Sequence, residues 1–133
     1  RRSAGLPDVD TAVWLGDSMG EMAAYYTLAE VAFIGGSLLP LGGQNLIEAA
    51  ACACPAIVGP HTFNFLQATA DAIAVGAAER VDDAAGLAAA IQRLLGGDNE
   101  LEQMRNAAAR FATAHRGATA RTLALIRAAT LTG

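Results

Sequence analysis

The sequence predicts an α/β domain of Rossmann-like type, in which a parallel sheet carries helices on both faces and a C-terminal helical tail follows. Three observations favour this fold class. Short, continuously apolar runs alternate with helical stretches, which is typical of parallel sheets covered on both faces. Polar, glycine-rich segments follow the first three apolar runs, and after Asp82 the periodicity is helical only.

The composition fits one folded domain and excludes several classes. Of the 133 residues, 53% are hydrophobic and 17% are charged, so the chain is not of the disordered type. A net charge of -4 argues against a dedicated nucleic-acid binder. The uncharged stretches 31–47 and 49–70 are interrupted by glycine and proline, so neither predicts a membrane span. Because the chain begins without methionine, we expect it to be a piece of a longer polypeptide.

The elements follow from apolar patterning. Buried strands are predicted at residues 11–15, 31–34, 56–58 and 78–81, and helices at 18–29, 44–53, 65–73, 83–95, 99–114 and 119–131. Ser18 and Glu21 fit a capping box, and Pro55 ends the second helix. We divide the single domain into a leading segment 1–10, an α/β core 11–82 and a helical tail 83–133. Core-facing positions in the tail are Leu87, Ile91, Leu94, Leu95, Leu101, Met104, Ala108, Phe111, Leu123 and Ile126.

Polar segments at the strand ends predict a binding site. They are residues 16–21 after the first strand, 35–37 and 42–45 after the second, and 59–65 after the third. Parallel sheets bind their ligands beyond the carboxyl ends of the strands, so these segments are expected to share one rim and hold a polar ligand.

The segment around Gly42 and Gly43 has two interpretations. Glycines before a helix allow a phosphate to approach the backbone, but they also make a tight turn with Asn45 as the helix N-cap. Glu48 is either a capping partner of the Asn45 N–H or a carboxylate that accepts hydrogen bonds from ribose. Glu21 presents the same choice, with Ser18 as its cap.

The remaining reactive residues give weaker indications. His61 is a hydrogen-bond donor to a phosphate, a general acid or an exposed loop residue. His115 fits a favourable charge at a helix C-terminus. Cys52 and Cys54 have no partners at zinc spacing and are interpreted as small apolar residues in a reducing compartment. No metal site and no Ser/His/Asp or Cys/His constellation is predicted.

Four motifs in order resemble those of the 3-deoxy-D-manno-octulosonic acid (Kdo) transferases. They are LGDSMGE at 15–21, AFIGGSL at 32–38, GGQNLIE at 42–48 and GPHTFNF at 59–65. The resemblance covers residues 12–81 well and the helical tail only in general pattern.

The resemblance implies the C-terminal half of a GT-B glycosyltransferase of lipopolysaccharide biosynthesis. Such enzymes move Kdo from CMP-Kdo to a lipid A precursor, without a covalent intermediate, at the cytoplasmic face of the bacterial inner membrane. It further implies a soluble fragment that is inactive alone and has no catalytic residue, because the base and most of the acceptor site belong to an N-terminal domain absent here. No cofactor, metal or nucleic-acid partner is implied.

The resemblance also assigns donor-binding residues. Glu48 is expected to meet the ribose, and Gly43, Gln44 and Asn45 the phosphate or the Kdo carboxylate. Gln44 stands where the family usually has His, which puts a proton-transfer role there in doubt, and Ala49 replaces a usual Pro. The full set of expected donor-binding residues is Met19, Gly20, Glu21, Gly36, Ser37, Gly43, Gln44, Asn45, Glu48 and His61.

Two alternatives remain open at this point. The first is a UDP-sugar-binding domain of another GT-B transferase or of an epimerase. The second is a non-catalytic α/β interaction domain whose glycines only shape turns. Preference for CMP or UMP, or binding of neither, distinguishes the three hypotheses.

Overall fold

The computed structural model describes residues 5–115 and Arg127. Strands and helices alternate along this part of the chain, as the sequence predicts. The predicted helix at 119–131 lies outside the described residues, apart from Arg127. The elements in order are α1 (Met22–Leu28), β1 (Ala32–Phe33), α2 (Leu46–Ala51), β2 (Ala56–Val58), a 3-10 helix (Phe63–Phe65), α3 (Leu66–Ala74), β3 (Ala78–Arg80), α4 (Ala84–Gly96) and α5 (Asp98–His115).

The sheet has three strands in the order β1-β2-β3. Both pairs are parallel, with Ala32 opposite Ala56 and Ile57 opposite Glu79. All three carboxyl ends therefore lie at one edge, and the polar segments that follow the strands begin there. This confirms the predicted parallel sheet.

Helices cover both faces of the sheet. Side chains of β2 alternate between two core clusters: Ala56 and Val58 belong to the first, and Ile57 belongs to the second. The first cluster draws on α2, α3 and α5, and the second on α4 and α5. Alanines dominate the first cluster, which lets α5 pack closely against α2. Because α5 contributes to both clusters, α4 and α5 are part of the core packing.

Caps and ion pairs fix the helices. The Asn45 side chain accepts a hydrogen bond from the Ile47 N–H at the start of α2, as the capping interpretation predicts. Asp83 caps α4 by accepting from the Gly86 N–H at 2.8 Å. Arg93 of α4 pairs with Glu79 of β3 at 2.5 Å and with Glu100 of α5, so one guanidinium joins three elements.

The predicted strand at residues 11–15 is wrong. Among the described residues it pairs with no strand, and Val13 is 88% and Leu15 52% exposed. Trp14 packs edge-on against the Tyr25 ring, with centroids 5.8 Å apart. An apolar run forms a strand only where a neighbouring strand supplies the hydrogen bonds, and the edge strand β1 forms its ladder with β2 and not with residues 11–15.

Three smaller predictions also fail. The first helix begins at Met22 and not at Ser18, because Gly20 adopts a left-handed φ of 80° that breaks the helical path. The Ser18 hydroxyl donates to the Glu21 carboxylate, so the predicted capping box does not form. Leu95, predicted to face the core, is 52% exposed. Adjacent residues of a helix point in directions about 100° apart, and α4 turns Leu94, at 1% exposure, into the core instead.

Candidate donor-binding site

Ser37 ties together the segments that follow β1 and β2. Its side chain is fully buried, and its Oγ donates to the Ile34 carbonyl at 2.5 Å and accepts from the Gly59 N–H at 2.8 Å. Its own carbonyl accepts from the His61 N–H at 2.9 Å. The two segments therefore form one structure at the carboxyl edge, as predicted.

Glycines close the loop between β1 and α2. Gly42 and Gly43 have left-handed φ values of 91° and 72°. A β-carbon at Gly42 would lie 2.7 Å from Cε2 of Phe63, so this loop packs directly against the segment after β2. The Asn64 N–H donates to the Gly42 carbonyl at 3.2 Å. The tight-turn interpretation accounts for these glycines, and anion binding beside them stays a prediction.

A hollow of about 360 Å³ opens beside this loop. Asn45 lies in its wall and points its amide Nδ2 at Glu48 Oε1, 3.1 Å away. Glu48 is exposed and meets the cap side chain, so the predicted capping bond to the backbone N–H of Asn45 is replaced by a contact between side chains. The residues that line the hollow are Met22, Tyr26, Phe33, Ile34, Gly35, Gln44, Asn45 and Glu48.

Tyr26 and Phe33 line the hollow but were not among the predicted site residues. Burial raises the pKa of the Tyr26 hydroxyl, and the nearby Glu48 carboxylate raises it further, so this hydroxyl stays protonated and can act as a donor. The sequence carried only part of the signal for Tyr26. Met22 and Tyr26 are four residues apart, which places them on one face of α1.

The predicted residues of the first segment lie apart from this hollow. Met19 is 97% exposed, and no neighbour lies within 4 Å of a β-carbon built at Gly20. Glu21 is half-buried, and its carboxylate accepts from the Tyr25 hydroxyl at 3.3 Å. The structure thus brings together seven of the predicted residues at the rim: Gly36, Ser37, Gly43, Gln44, Asn45, Glu48 and His61.

The two cysteines are free thiols. Cys54 is buried, and this burial raises the pKa of its thiol to about 11, so it is protonated and unreactive at neutral pH. Cys52 is half-buried. His115 ends α5 with Nδ1 3.0 Å from the Phe111 carbonyl, as expected for a histidine at a helix C-terminus.

Hollow volume alone does not identify the site. A larger hollow of about 530 Å³ lies beside α5. It is lined by Val75 and Gly76, which precede β3 and therefore lie at the opposite edge of the sheet. Within residues 5–115 and Arg127, there is no group of three or more metal-ligating side chains that could hold a metal ion. In the same part of the chain, no helix is both long and apolar enough to cross a bilayer.

The structure has a parallel sheet, and its glycine-rich loops meet beside a hollow at the carboxyl edge. This arrangement is typical of Rossmann-like ligand-binding domains, the class to which the fold belongs.

No family model matches the chain. Its sequence is 52% identical over 127 residues to the Kdo transferase of Bordetella pertussis, covering 92% of this chain and 29% of that protein. It is 40% identical over 129 residues to the Kdo transferase of Haemophilus influenzae, covering 96% of this chain and 30% of that protein.

A solved structure agrees with these relatives. The C-terminal CMP-Kdo binding domain of WaaA from Acinetobacter baumannii superposes with a TM-score of 0.77 at 35% identity, over 83% of this chain and 58% of that one. The chain therefore belongs to the 3-deoxy-D-manno-octulosonic acid transferase family. It spans about three tenths of the length of the curated relatives named above.

Proposed function

We propose that this chain is the part of a Kdo transferase that binds the CMP-Kdo donor. The observation that carries the proposal is the Asn45–Glu48 pair in the wall of a hollow at the carboxyl edge of the sheet. The superposition on a CMP-Kdo binding domain supports it.

The hollow offers complementary groups to a nucleotide. The exposed Glu48 carboxylate accepts hydrogen bonds from ribose hydroxyls, and Asn45 holds that carboxylate in place. The side-chain amide of Gln44 is an uncharged donor toward the phosphate or the Kdo carboxylate. The backbone carbonyl of His61 would lie 3.5 Å from a β-carbon at Gly43, so His61 is close to the phosphate side and its imidazole is a second candidate donor. Met19, Gly20 and Glu21 stay predicted donor-binding residues, and none of them lines the hollow in this structure.

The whole enzyme would use this chain to hold the donor during an inverting transfer of Kdo. Hydrogen-bond donors of the chain stabilise the negative charge that develops on CMP as the sugar leaves, without a metal. The base that deprotonates the lipid A precursor lies on another domain, at the cytoplasmic face of the inner membrane. We expect no turnover by this chain alone and no change in its CMP affinity when EDTA is added.

Titration with CMP and UMP tests the proposal by calorimetry. Preference for CMP is the expected result. Preference for UMP would favour a UDP-sugar-binding domain of another GT-B enzyme, and binding of neither nucleotide would favour the interaction-domain alternative.

Replacement of Glu48 tests the site directly. We expect Glu48→Ala to weaken CMP binding more than about ten-fold and to leave the fold intact, because the ribose hydroxyls lose a charged acceptor. Glu102→Ala removes a carboxylate from the exposed surface of α5 and serves as the matched control. A lower melting temperature with unchanged CMP affinity would assign Glu48 to helix capping instead.

A further inference from the structure

We propose that Arg80 binds the carboxylate of the transferred sugar and so distinguishes the complete donor from its nucleotide part. The inference rests on the proposed function and adds to it a residue that none of the four motifs contains. Arg80 is the last residue of β3, so it lies at the same carboxyl edge as the loops that follow β1 and β2.

The strand directs Arg80 toward the segment after β2. Successive side chains of a strand point to opposite faces, and Glu79 is turned to Arg93 of α4. Arg80 therefore points to the other face, where its Nη2 donates to Thr62 Oγ1 at 3.3 Å. Thr62 is buried at 4% exposure, so this contact anchors the guanidinium group on a fixed part of the rim.

Thr62 connects Arg80 to the glycine loop. A β-carbon built at Gly43 would lie 3.7 Å from Cα of Thr62, so the rim runs from Gly43 through Thr62 to Arg80 without a gap. The hollow that contains Glu48 adjoins the same loop through Gln44, the residue after Gly43. A donor with its ribose at Glu48 and its phosphate over the loop directs its sugar toward Arg80.

Charge favours this assignment. CMP-Kdo carries two negative groups, a phosphate and a carboxylate, and Glu48, which lines the hollow, is negative too. A positive side chain on the rim would therefore favour binding of the complete donor. Among the four arginines of residues 5–115, Arg93 and Arg105 are engaged by carboxylates, and Arg110 lies on α5 beside the hollow at the opposite edge. Arg80 uses one of its five N–H donors on Thr62 and stays exposed. A planar guanidinium matches a carboxylate through two parallel hydrogen bonds.

The experiment compares two ligands on this chain. CMP and freshly prepared CMP-Kdo are titrated by calorimetry into the wild type, Arg80→Gln and Arg80→Lys. We expect Arg80→Gln to weaken CMP-Kdo binding about ten-fold and to leave the CMP affinity within about two-fold of the wild type. Arg80→Lys should bind CMP-Kdo with intermediate affinity, because lysine keeps the charge but cannot form the two parallel hydrogen bonds of a guanidinium. Arg110→Gln is the matched control and should change neither affinity.

Two outcomes for Arg80→Gln overturn the inference alone: equal weakening of both ligands, or no weakening of either. A wild-type chain that binds neither ligand would remove the proposed function together with this inference, so the two failures are distinguishable.

Thr62→Val removes the anchor and leaves the guanidinium. We expect it to weaken CMP-Kdo binding less than Arg80→Gln does and to leave CMP within about two-fold. Equal weakening of both ligands by Thr62→Val would show that the Arg80–Thr62 contact supports the loop, and would overturn the inference as well.

Discussion

Two glycine-containing regions of the molecule are held in different ways. In the first region, the rim segments 35–45 and 59–65 are joined by the buried Ser37 side chain and by a backbone hydrogen bond from the Asn64 N–H to the Gly42 carbonyl. The segment 11–21 that precedes α1 is largely exposed and is held by the contacts of Trp14 and Glu21 with Tyr25. The comparison shows that glycine content does not decide how a segment is held, because the rim segments are joined by hydrogen bonds to each other, whereas residues 11–21 are held by side-chain contacts with α1.

The largest expected effect is at Gly59, where the rim segments approach most closely. A β-carbon there would overlap the Ser37 backbone and lie 2.6 Å from the Leu38 nitrogen. We expect Gly59→Ala to cost about 3 kcal/mol or more, which lowers the melting temperature by roughly 10 °C or more in thermal unfolding.

Gly35→Ala is the matched control, because a β-carbon at Gly35 meets nothing within 4 Å. Equal melting temperatures for the two variants would mean that the rim segments are not packed together.

Removal of the Ser37 hydroxyl should have an intermediate effect. Ser37→Ala leaves the buried Gly59 N–H without its acceptor, which costs about 2 kcal/mol in the free energy of unfolding measured with urea. The exposed Ser18, whose hydroxyl contacts Glu21, provides the comparison, and Ser18→Ala should cost less than about 0.5 kcal/mol. Similar costs for the two serines would contradict the contrast between the segments.

The smallest expected effect is in the segment 11–15. Val13 is 88% exposed, so Val13→Ser should change the free energy of unfolding by less than about 0.5 kcal/mol in the same urea assay. Val58→Ser, at a fully buried position of β2, is the positive control. A large loss at Val13 would show that residues 11–15 are buried in solution.

Much of the fold could be predicted from patterning. The run 56–58 coincides with β2, and Asn45, interpreted from the sequence as an N-cap, caps α2. Residues 11–15 show the limit of that reasoning. An apolar run reports a preference for burial, whereas a strand also needs a partner with unpaired backbone groups, and the local sequence does not specify that partner.

The site was predictable where loops follow strands, because the parallel sheet alone places those loops at one edge. Tyr26 and Arg80 were missed for different reasons. Tyr26 lines the hollow because α1 packs beside α2, and the local sequence does not specify this tertiary contact. Arg80 belongs to a strand whose side-chain direction depends on register, and a single residue of slip would turn it to the other face.

The order of the strands has a consequence for how the chain folds. Each strand lies beside the next one along the chain, so every sheet contact forms by closing one short loop that contains a helix. Such connections keep the entropy loss of each closure small, so we expect the sheet to assemble stepwise, one strand–helix–strand unit after another.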